Sequence, residues 1–433
     1  MNLASPFSLS IVAITGLALL GLPVGHAMIA GSILYLWLAG LDMGTAAEQF
    51  LNGMYVNYII LAVPLFILAA ELMNIGSMTE RLMTFCNALV GRFRGGLAQV
   101  NVLQSIIFAG MSGSAIADAA GSGKIMQNMM TADGKYPASY AAALTAATSV
   151  IGPIIPPSIP MIIYALVSDA SIGYLFLGGV VPGLLMTAAM MALTTWIAHK
   201  RDIPAEVSVP VRKLPGITLR AFPALLMPVI LLAGIYGGAT TPTEAAAVAA
   251  LYALLLAAFL YRAVTWRSLV NVFSESAKSS ASVGLVIGAA LIFNYIVAVE
   301  NIPNSVARLL DYLDLGPMGF LLFANLLFLF LGCLLDATTI ILVIIPLFIP
   351  ACRALGIDLV HFGVVAVVNC MIGLITPPYG MLLFVINGAT GIPISAIVRE
   401  VIPYLTALIA LLLLLILFPE LTLWLPRQFG YEA

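Results

Sequence analysis

Two short segments in opposite halves of the chain carry glycine, proline and hydroxyl side chains in nearly the same order. Residues 151–158 read Ile-Gly-Pro-Ile-Ile-Pro-Pro-Ser, and residues 372–379 read Ile-Gly-Leu-Ile-Thr-Pro-Pro-Tyr. Both lie inside long apolar stretches, where a glycine followed by two prolines removes amide donors and prevents a continuous helix. Broken backbone inside a membrane is tolerated only where it is buried in protein or lines a wet cavity. Free carbonyls suit a cation and helix N-termini suit an anionic group, so this pair predicts a site near the membrane centre.

Two further polar stretches each interrupt an apolar run. Residues 110–115 read Gly-Met-Ser-Gly-Ser-Ala, and residues 332–339 read Gly-Cys-Leu-Leu-Asp-Ala-Thr-Thr. Because the apolar run 97–111 is too short to cross about 30 Å of hydrocarbon comfortably, we expect hairpins that re-enter the membrane with polar tips. Each tip is expected to form an ion site with the nearby break, since hydroxyl, amide and carbonyl oxygens suit a hard ion such as Na⁺. The predicted ligands are Ser112, Gly113, Ser114, Ser149, Gly152 and Pro153 in the first site, and Asp336, Thr338, Thr339, Asn369, Gly373 and Thr376 in the second.

Each of these residues also has a simpler structural explanation. Small residues allow close packing of helices, and proline produces a kink. Asp336 is a costly carboxylate inside a membrane and therefore indicates function, although it could also cap the second arm of its hairpin. Asp118 could be a helix cap, and Glu244 follows Thr241 at the spacing of a capping box. Glu71 fits either a buried pair or a carboxylate at the membrane surface.

The composition defines the class of protein. The chain has 433 residues, of which 62% are hydrophobic and 8% charged, with a mean hydropathy of +1.12. These values exclude a soluble globular protein and indicate a chain that crosses the membrane many times. No basic run points to nucleic acid. The four cysteines show no ligand spacing, and no nucleophile, metal or phosphate motif suggests an enzyme or a transition-metal site.

The order of the segments predicts an all-α polytopic membrane protein built from two repeats. The first repeat is 1–198, with a re-entrant hairpin at 97–131 and a broken helix at 138–168. Residues 199–220 form a cytoplasmic linker. The second repeat is 221–433, with a hairpin at 317–352 and a broken helix at 360–388. Each repeat has five spans, an odd number, so the two repeats are expected to be inverted relative to each other.

The basic residues indicate the orientation. If the N-terminus is periplasmic, 14 of the 17 lysines and arginines lie on the cytoplasmic side, and the other three are Arg308, Arg353 and Arg427. This asymmetry is the positive-inside bias of membrane proteins. The orientation places the first hairpin on the cytoplasmic side and the second on the opposite side.

Four motifs in order resemble the large membrane subunit of the TRAP transporters, the tripartite ATP-independent periplasmic transporters. They are Gly-Met-Ser-Gly-Ser-Ala at 110–115, Gly-Pro-Ile-Ile-Pro-Pro-Ser at 152–158, Thr-Pro-Thr-Glu-Ala-Ala-Ala at 241–247 and Thr-Pro-Pro-Tyr-Gly at 376–380. The resemblance extends over essentially the whole chain. It implies an elevator-type secondary transporter in the bacterial inner membrane that couples Na⁺ flow to uptake of organic acids such as C4-dicarboxylates or sialic acid.

The resemblance also implies partners and a moving part. The partners would be a small four-helix membrane subunit, expected here as a separate chain, and a periplasmic binding protein that delivers substrate. Hairpins and broken helices would move, and the remaining spans would form a scaffold in the lipid bilayer. No lysine or arginine lies in the central motifs, so tip amides and hydroxyls are expected to hold a carboxylate. The predicted substrate residues are Ser114, Ala115, Pro156, Pro157, Ser158, Thr338, Pro377, Pro378 and Tyr379.

Two other classes of function remain open from the sequence. A stand-alone carrier of the same superfamily would transport without a binding protein. An ion channel would pass current without saturation and without a Na⁺ gradient.

Overall fold

The computed structural model describes residues 5–432 except 75–76, 133, 204, 206–208, 303–304 and 306–314. Among these residues the secondary structure is helical, apart from an isolated bridge between Arg94 and Ala205. The predicted all-α architecture is therefore confirmed. Arg308 and residues 204 and 206–208 of the predicted linker lie outside the described part of the chain.

Most helices in the first half of the chain are short, and three of them lie in the predicted hairpin and two in the predicted broken segment. The helices are α1 (Pro6–Leu19), α2 (Val24–Leu38), α3 (Gly44–Val56), α4 (Ala62–Met73), α5 (Ser77–Val90), α6 (Gly96–Ser112), α7 (Ala115–Asp118), α8 (Lys124–Ala132), α9 (Ala138–Ser149), α10 (Ile159–Ser168) and α11 (Ile172–Lys200). A π-helical turn, Ala119–Gly123, joins α7 to α8.

The second half follows a similar order. Its helices are α12 (Leu214–Tyr236), α13 (Pro242–Leu255), α14 (Trp266–Val299), α15 (Pro317–Gly332), α16 (Ala337–Thr339), α17 (Ile349–Ala354), α18 (Leu359–Gly373), α19 (Met381–Thr390), α20 (Ile394–Leu417) and α21 (Glu420–Gln428). Two more π-helical turns follow, Leu256–Leu260 after α13 and Ile340–Ile344 after α16. Each predicted tip is thus followed by one short helix and one π-helical turn.

Three boundaries differ from the expectation. The arginines at 81, 92 and 94 predict a polar junction after α4, but residues 77–90 form a helix, α5, in which Met78, Leu82 and Cys86 recur every four residues and are buried. The sequence also predicts an amphipathic segment at 266–278 and a separate span at 281–299, whereas the structure has one continuous helix, α14, that no proline interrupts. The predicted linker is shorter than expected, because α11 ends at Lys200 and α12 begins at Leu214.

Most helix contacts fall within two groups, although α6 also packs on α4, α5 and α12 across the boundary between them. The hairpin bundle consists of α6–α11 and α15–α21, and the frame bundle consists of α1–α5 and α12–α14. The unbroken helices α11 and α20, which the resemblance assigns to the scaffold, pack on the broken segment and on α9. Gly179 of α11 lies so close to the broken segment that an added Cβ would be 2.2 Å from the Ile154 carbonyl. Tyr404 of α20 donates a 3.1 Å hydrogen bond to Tyr140 of α9.

Several helices are long and apolar enough to cross a membrane. Among the described residues six qualify by length and composition, or seven if α3 and α4 are joined across their 73° bend. The chain is therefore a multi-pass membrane protein. One of the six is Ala337–Ala354, the second arm of the second predicted hairpin. Because this segment is long enough to cross the membrane, its re-entrant path stays a prediction.

Candidate functional site

The first hairpin tip turns at Gly113 and packs on the first break. Gly113 has φ +58°, and a Cβ there would lie 2.4 Å from the Pro157 carbonyl oxygen. Only glycine fits both the left-handed backbone and this close approach. A Cβ on Gly152 would lie 3.8 Å from the Ser114 carbonyl, so the tip and the break form one unit, as the sequence predicted.

The hydroxyl groups of this unit differ in their hydrogen bonding. Ser114 caps α7 by accepting a 3.3 Å hydrogen bond from the Ala117 amide. Ser112 is buried, and its Oγ has no hydrogen-bond partner. Ser149 donates to the Thr145 carbonyl at 2.8 Å. Ser158 caps α10 and donates to the Pro153 carbonyl, so that predicted carbonyl ligand already accepts one hydrogen bond.

The second tip packs on the second break through two glycines. A Cβ on Gly373 would lie 2.6 Å from the Gly332 Cα, so any larger residue would separate the two segments. A backbone hydrogen bond of 3.1 Å from the Gly380 amide to the Cys333 carbonyl joins the same segments. Asp336 caps α16: its carboxylate accepts from the Thr339 amide at 3.0 Å and from the Thr339 hydroxyl.

Two other predicted ligands of the second site have internal partners. Asn369 is fully buried and donates to the Asn325 side chain at 2.8 Å, while its own Oδ1 has no partner. Thr376 donates to the Ile372 carbonyl at 2.8 Å. Asn369 therefore presents an available oxygen, whereas the proton of the Thr376 hydroxyl is used within the break.

Both tips and both breaks border one cavity of about 790 Å³. Ser112–Ala117 and Asp336–Thr338 come from the tips. The breaks contribute Pro153 and Leu374, and the helix ends next to them contribute Ile159, Pro160, Met371 and Met381. The structure thus brings Ser112, Gly113, Ser114, Ala115, Pro153, Asp336 and Thr338 to one space.

Other predicted residues do not line this cavity. Pro156, Pro157 and Ser158 of the first break are buried outside the lining, and the Thr339 hydroxyl donates a hydrogen bond to Asp336. Tyr379 is 45% exposed and stacks on Phe384 with ring centroids 4.6 Å apart. The remaining predicted residues outside the lining are Ser149, Gly152, Asn369, Gly373, Thr376, Pro377 and Pro378.

The opposite wall comes from the frame bundle and was not assigned from the sequence. It is formed by Pro23–His26 before and within α2, Ile67, Ala70 and Glu71 of α4, and residues 279–286 of α14. His26, Ser279 and Ser282 are its exposed polar residues. Their residue types are ordinary for helix surfaces, so only the packing of α2, α4 and α14 assigns them to the site.

The charge of the cavity is one-sided. Glu71 and Asp336 are carboxyl groups in its lining, and no lysine or arginine is among the lining residues of the described chain.

Asp118, for which capping was an option, is not a cap: it ends α7 and accepts a 2.6 Å hydrogen bond from Ser122. Glu244 does form the expected capping box with Thr241. Within the described residues no His, Cys, Asp and Glu group could hold a transition metal.

Comparisons with known proteins agree with this architecture. The family model "Tripartite ATP-independent periplasmic transporter, DctM component" matches residues 11–421. The chain is 41% identical over 418 residues to the sialic acid TRAP transporter large permease protein SiaM of Vibrio cholerae, covering 96% of this chain and 97% of the relative. It is 38% identical to the C4-dicarboxylate large permease DctM of Pseudomonas aeruginosa, covering 86% and 87%.

Further relatives differ in the substrate that they are named for. The 2,3-diketo-L-gulonate large permease YiaN of Escherichia coli is 36% identical, covering 93% of this chain and 94% of the relative. The crystal structure of the Alcanivorax borkumensis YdaH transporter matches with a TM-score of 0.62 and 15% identity, covering 89% and 88%, and supports the fold. The curated relatives are transport permeases rather than enzymes. This chain therefore belongs to the DctM-component family, the large permeases of tripartite ATP-independent periplasmic transporters.

Proposed function

We propose that this chain is the permease of a sodium-coupled importer of an organic acid. The observation that carries the proposal is the shared cavity, since both tips, both breaks and the frame bundle border one space. Its volume of about 790 Å³ suits a small molecule. The named relatives transport sialic acid, C4-dicarboxylates or diketogulonate, all of which are organic acids.

The charges of the cavity support coupling to a cation. An organic anion would enter a space bordered by Glu71 and Asp336, without a lysine or arginine to balance it. Repulsion between like charges in a low dielectric is costly, so cations that enter with the anion lower the free energy of the bound state. Oxygen-only ligands favour Na⁺ over a transition metal. Twin sites at the two tips would take at least two Na⁺ ions per cycle.

The two bundles offer a physical basis for an elevator motion. The hairpin bundle carries the tips and breaks, and the frame bundle provides the opposite wall. Side-chain hydrogen bonds between the bundles include Asn294 to the Leu342 carbonyl at 3.3 Å and Tyr236 to the Gly173 carbonyl at 2.8 Å. Alternating access would break such contacts while each bundle moves as a body.

We further propose the partners and the location. A small four-helix membrane subunit would brace the frame bundle, and a periplasmic binding protein would deliver the acid. The complex would lie in the bacterial inner membrane with the N-terminus of this chain in the periplasm.

Uptake in proteoliposomes tests the proposal. The permease, its small subunit and its binding protein are reconstituted, and uptake of a radiolabelled organic acid is measured under imposed Na⁺ or H⁺ gradients. We expect uptake to require Na⁺ and the binding protein, and to be lost in Asp336→Ala and Ser114→Ala.

Other results would identify another mechanism. Uptake by this chain alone would show a stand-alone carrier, and unsaturable current without a Na⁺ gradient would show a channel. Uptake that does not depend on Na⁺, or that persists in both Asp336→Ala and Ser114→Ala, would contradict the proposed coupling sites.

A further inference from the structure

Asp118 is a carboxylate close to the first tip that does not line the cavity. Asp118 is 2% exposed and follows Ala117, a lining residue of the cavity. Its Oδ1 accepts a 2.6 Å hydrogen bond from the Ser122 hydroxyl. Its Oδ2 is buried without a hydrogen-bond partner. Buried carboxylate oxygens are normally satisfied, so this one indicates a missing partner.

The surroundings of Asp118 are rich in oxygen and lack positive side chains. Ser105 of the first hairpin arm and Ser149 at the end of α9 both lie beside the carboxyl group. The Ser149 hydroxyl donates a 2.8 Å hydrogen bond to the Thr145 carbonyl, so the lone pairs of the Ser149 oxygen stay available. None of the ion pairs among the described residues includes Asp118.

The backbone next to Asp118 is also unusual. The π-helical turn Ala119–Gly123 begins directly after it, and such turns are frequent at functional sites. A Cβ on Gly123 would lie 2.5 Å from the Thr145 side chain, so the turn packs tightly on α9. Asp118 is therefore held in place by both hairpin arms and the broken helix.

We propose that Asp118, with Ser105 and Ser149, binds a Na⁺ ion beneath the first tip. A buried carboxylate without a partner charge is unfavourable, and a bound cation supplies that charge. One carboxylate with neutral hydroxyls balances a monovalent ion, whereas Ca²⁺ sites use several carboxylates. Ser122 would orient the carboxylate by its hydrogen bond to Oδ1.

This inference rests on the proposed sodium coupling and extends it. The predicted first site contained only neutral ligands, whereas the second contained Asp336. With Asp118, each half of the hairpin bundle contributes one carboxylate to ion binding.

Thermal unfolding of the purified full-length permease in lipid nanodiscs tests this site apart from transport. Unfolding temperatures are measured while NaCl replaces choline chloride at constant ionic strength, because an ion that binds the folded state raises the unfolding temperature. In Asp118→Asn and Ser105→Ala we expect the half-saturating Na⁺ concentration to rise by about tenfold or more, as when metal-site residues are lost. The matched control is Asp169→Asn, a carboxylate that is 90% exposed and should leave the Na⁺ response unchanged.

Each other result has a defined meaning. A wild-type Na⁺ response in Asp118→Asn would overturn the site, even if uptake still required Na⁺. Stabilisation of the wild type by acid rather than by Na⁺, lost in Asp118→Asn, would show a bound proton and would also overturn it. If Asp118→Asn does not fold, Ser105→Ala decides by the same criterion. A wild-type protein indifferent to Na⁺ in both unfolding and uptake would refute sodium coupling itself.

Discussion

Asp336 has two roles that a single substitution can separate. Its carboxylate caps α16 through the Thr339 amide, and the residue borders the cavity. Asparagine is also a good N-cap but carries no charge. The cap role concerns stability, and the charge concerns cation binding.

Replacing Asp336 by asparagine and by alanine distinguishes these roles. We expect Asp336→Asn to unfold near the wild-type temperature but to lose most Na⁺-driven uptake. Asp336→Ala should lose uptake and also about 1 kcal/mol of stability, because the cap is gone. Asp358→Asn is the control, since Asp358 caps α18 through the amides of Val360 and His361. Full uptake by Asp336→Asn would show that Asp336 is only a cap.

Residue type alone predicted some of the residues that line the cavity. The serines, the threonine and the aspartate of the tips were predictable because polar groups are costly inside a membrane. His26, Ser279 and Ser282 were not predictable, since their role depends on which face of a helix meets the cavity. Asp118 was noted in the sequence, but only its position at the end of α7 and its hydrogen bond from Ser122 show that it is not an ordinary cap.

At the scale of elements, the contact between tip and break depends on glycine. Gly113 has φ +58° and lies against Pro157, whereas Gly391 has φ +72° with open space around its Cβ position. The two positions share the left-handed backbone and differ in crowding. Comparing them separates the cost of the backbone from the cost of displacing the tip.

Alanine at these two glycines gives a matched pair. Gly391→Ala should cost about 1–2 kcal/mol of stability through its backbone and leave uptake near wild type. Gly113→Ala should cost more and abolish uptake, because its Cβ would force the tip away from the break. Unfolding temperature and uptake are measured for both. Equal losses of uptake in the two variants would contradict a specific role for the contact.

Local sequence signals defined some elements better than others. The helix ends at the tips and breaks follow from local sequence, since glycine and proline act on the backbone at their own positions. The unbroken path of α14 was missed, because residues 266–278 were predicted as an amphipathic segment separate from the span at 281–299. In the structure Glu275 and Lys278 form an exposed ion pair of 2.7 Å on the helix surface.

At the scale of the whole molecule, the bundles can be joined by a disulfide. Gly110 of the hairpin bundle meets Pro228 of the frame bundle, with 3.1 Å between an added Cβ and the Pro228 Cβ. A disulfide needs Cβ atoms about 3.5–4.5 Å apart, which a small shift provides. We expect Gly110→Cys with Pro228→Cys to stop uptake under oxidising conditions and to recover with reductant.

A second pair controls for disulfide formation itself. Gly183 and Ile155 both belong to the hairpin bundle, and the Ile155 side chain lies 2.4 Å from the Gly183 Cβ position. Cysteines at these positions should cross-link without stopping uptake. If uptake continued with the bundles cross-linked, the elevator motion would be refuted.

If the proposed topology holds, the cavity opens towards the cytoplasm. His26 and Glu71 of its lining lie near helix ends that this topology places on the cytoplasmic side, and Ser282 follows Lys278, the last charged residue of α14, by four positions. The hydrogen bond from Tyr236 to Gly173 lies at the opposite helix ends. Ser282→Cys should react with an impermeant maleimide from the cytoplasmic side, against a low background, because the four native cysteines are buried. Labelling only from the periplasm would reverse the proposed orientation.

The continuous helix α14 has a consequence for the surrounding lipid. Its charged side chains end at Lys278, and residues 279–299 carry no charge, so the uncharged part is about 32 Å long at 1.5 Å per residue. This length matches the hydrocarbon thickness of about 30 Å. The frame is thus adapted to one bilayer thickness, and thinner or thicker bilayers impose hydrophobic mismatch on it. Uptake should therefore vary with acyl-chain length, with its maximum where the bilayer fits the uncharged part of α14.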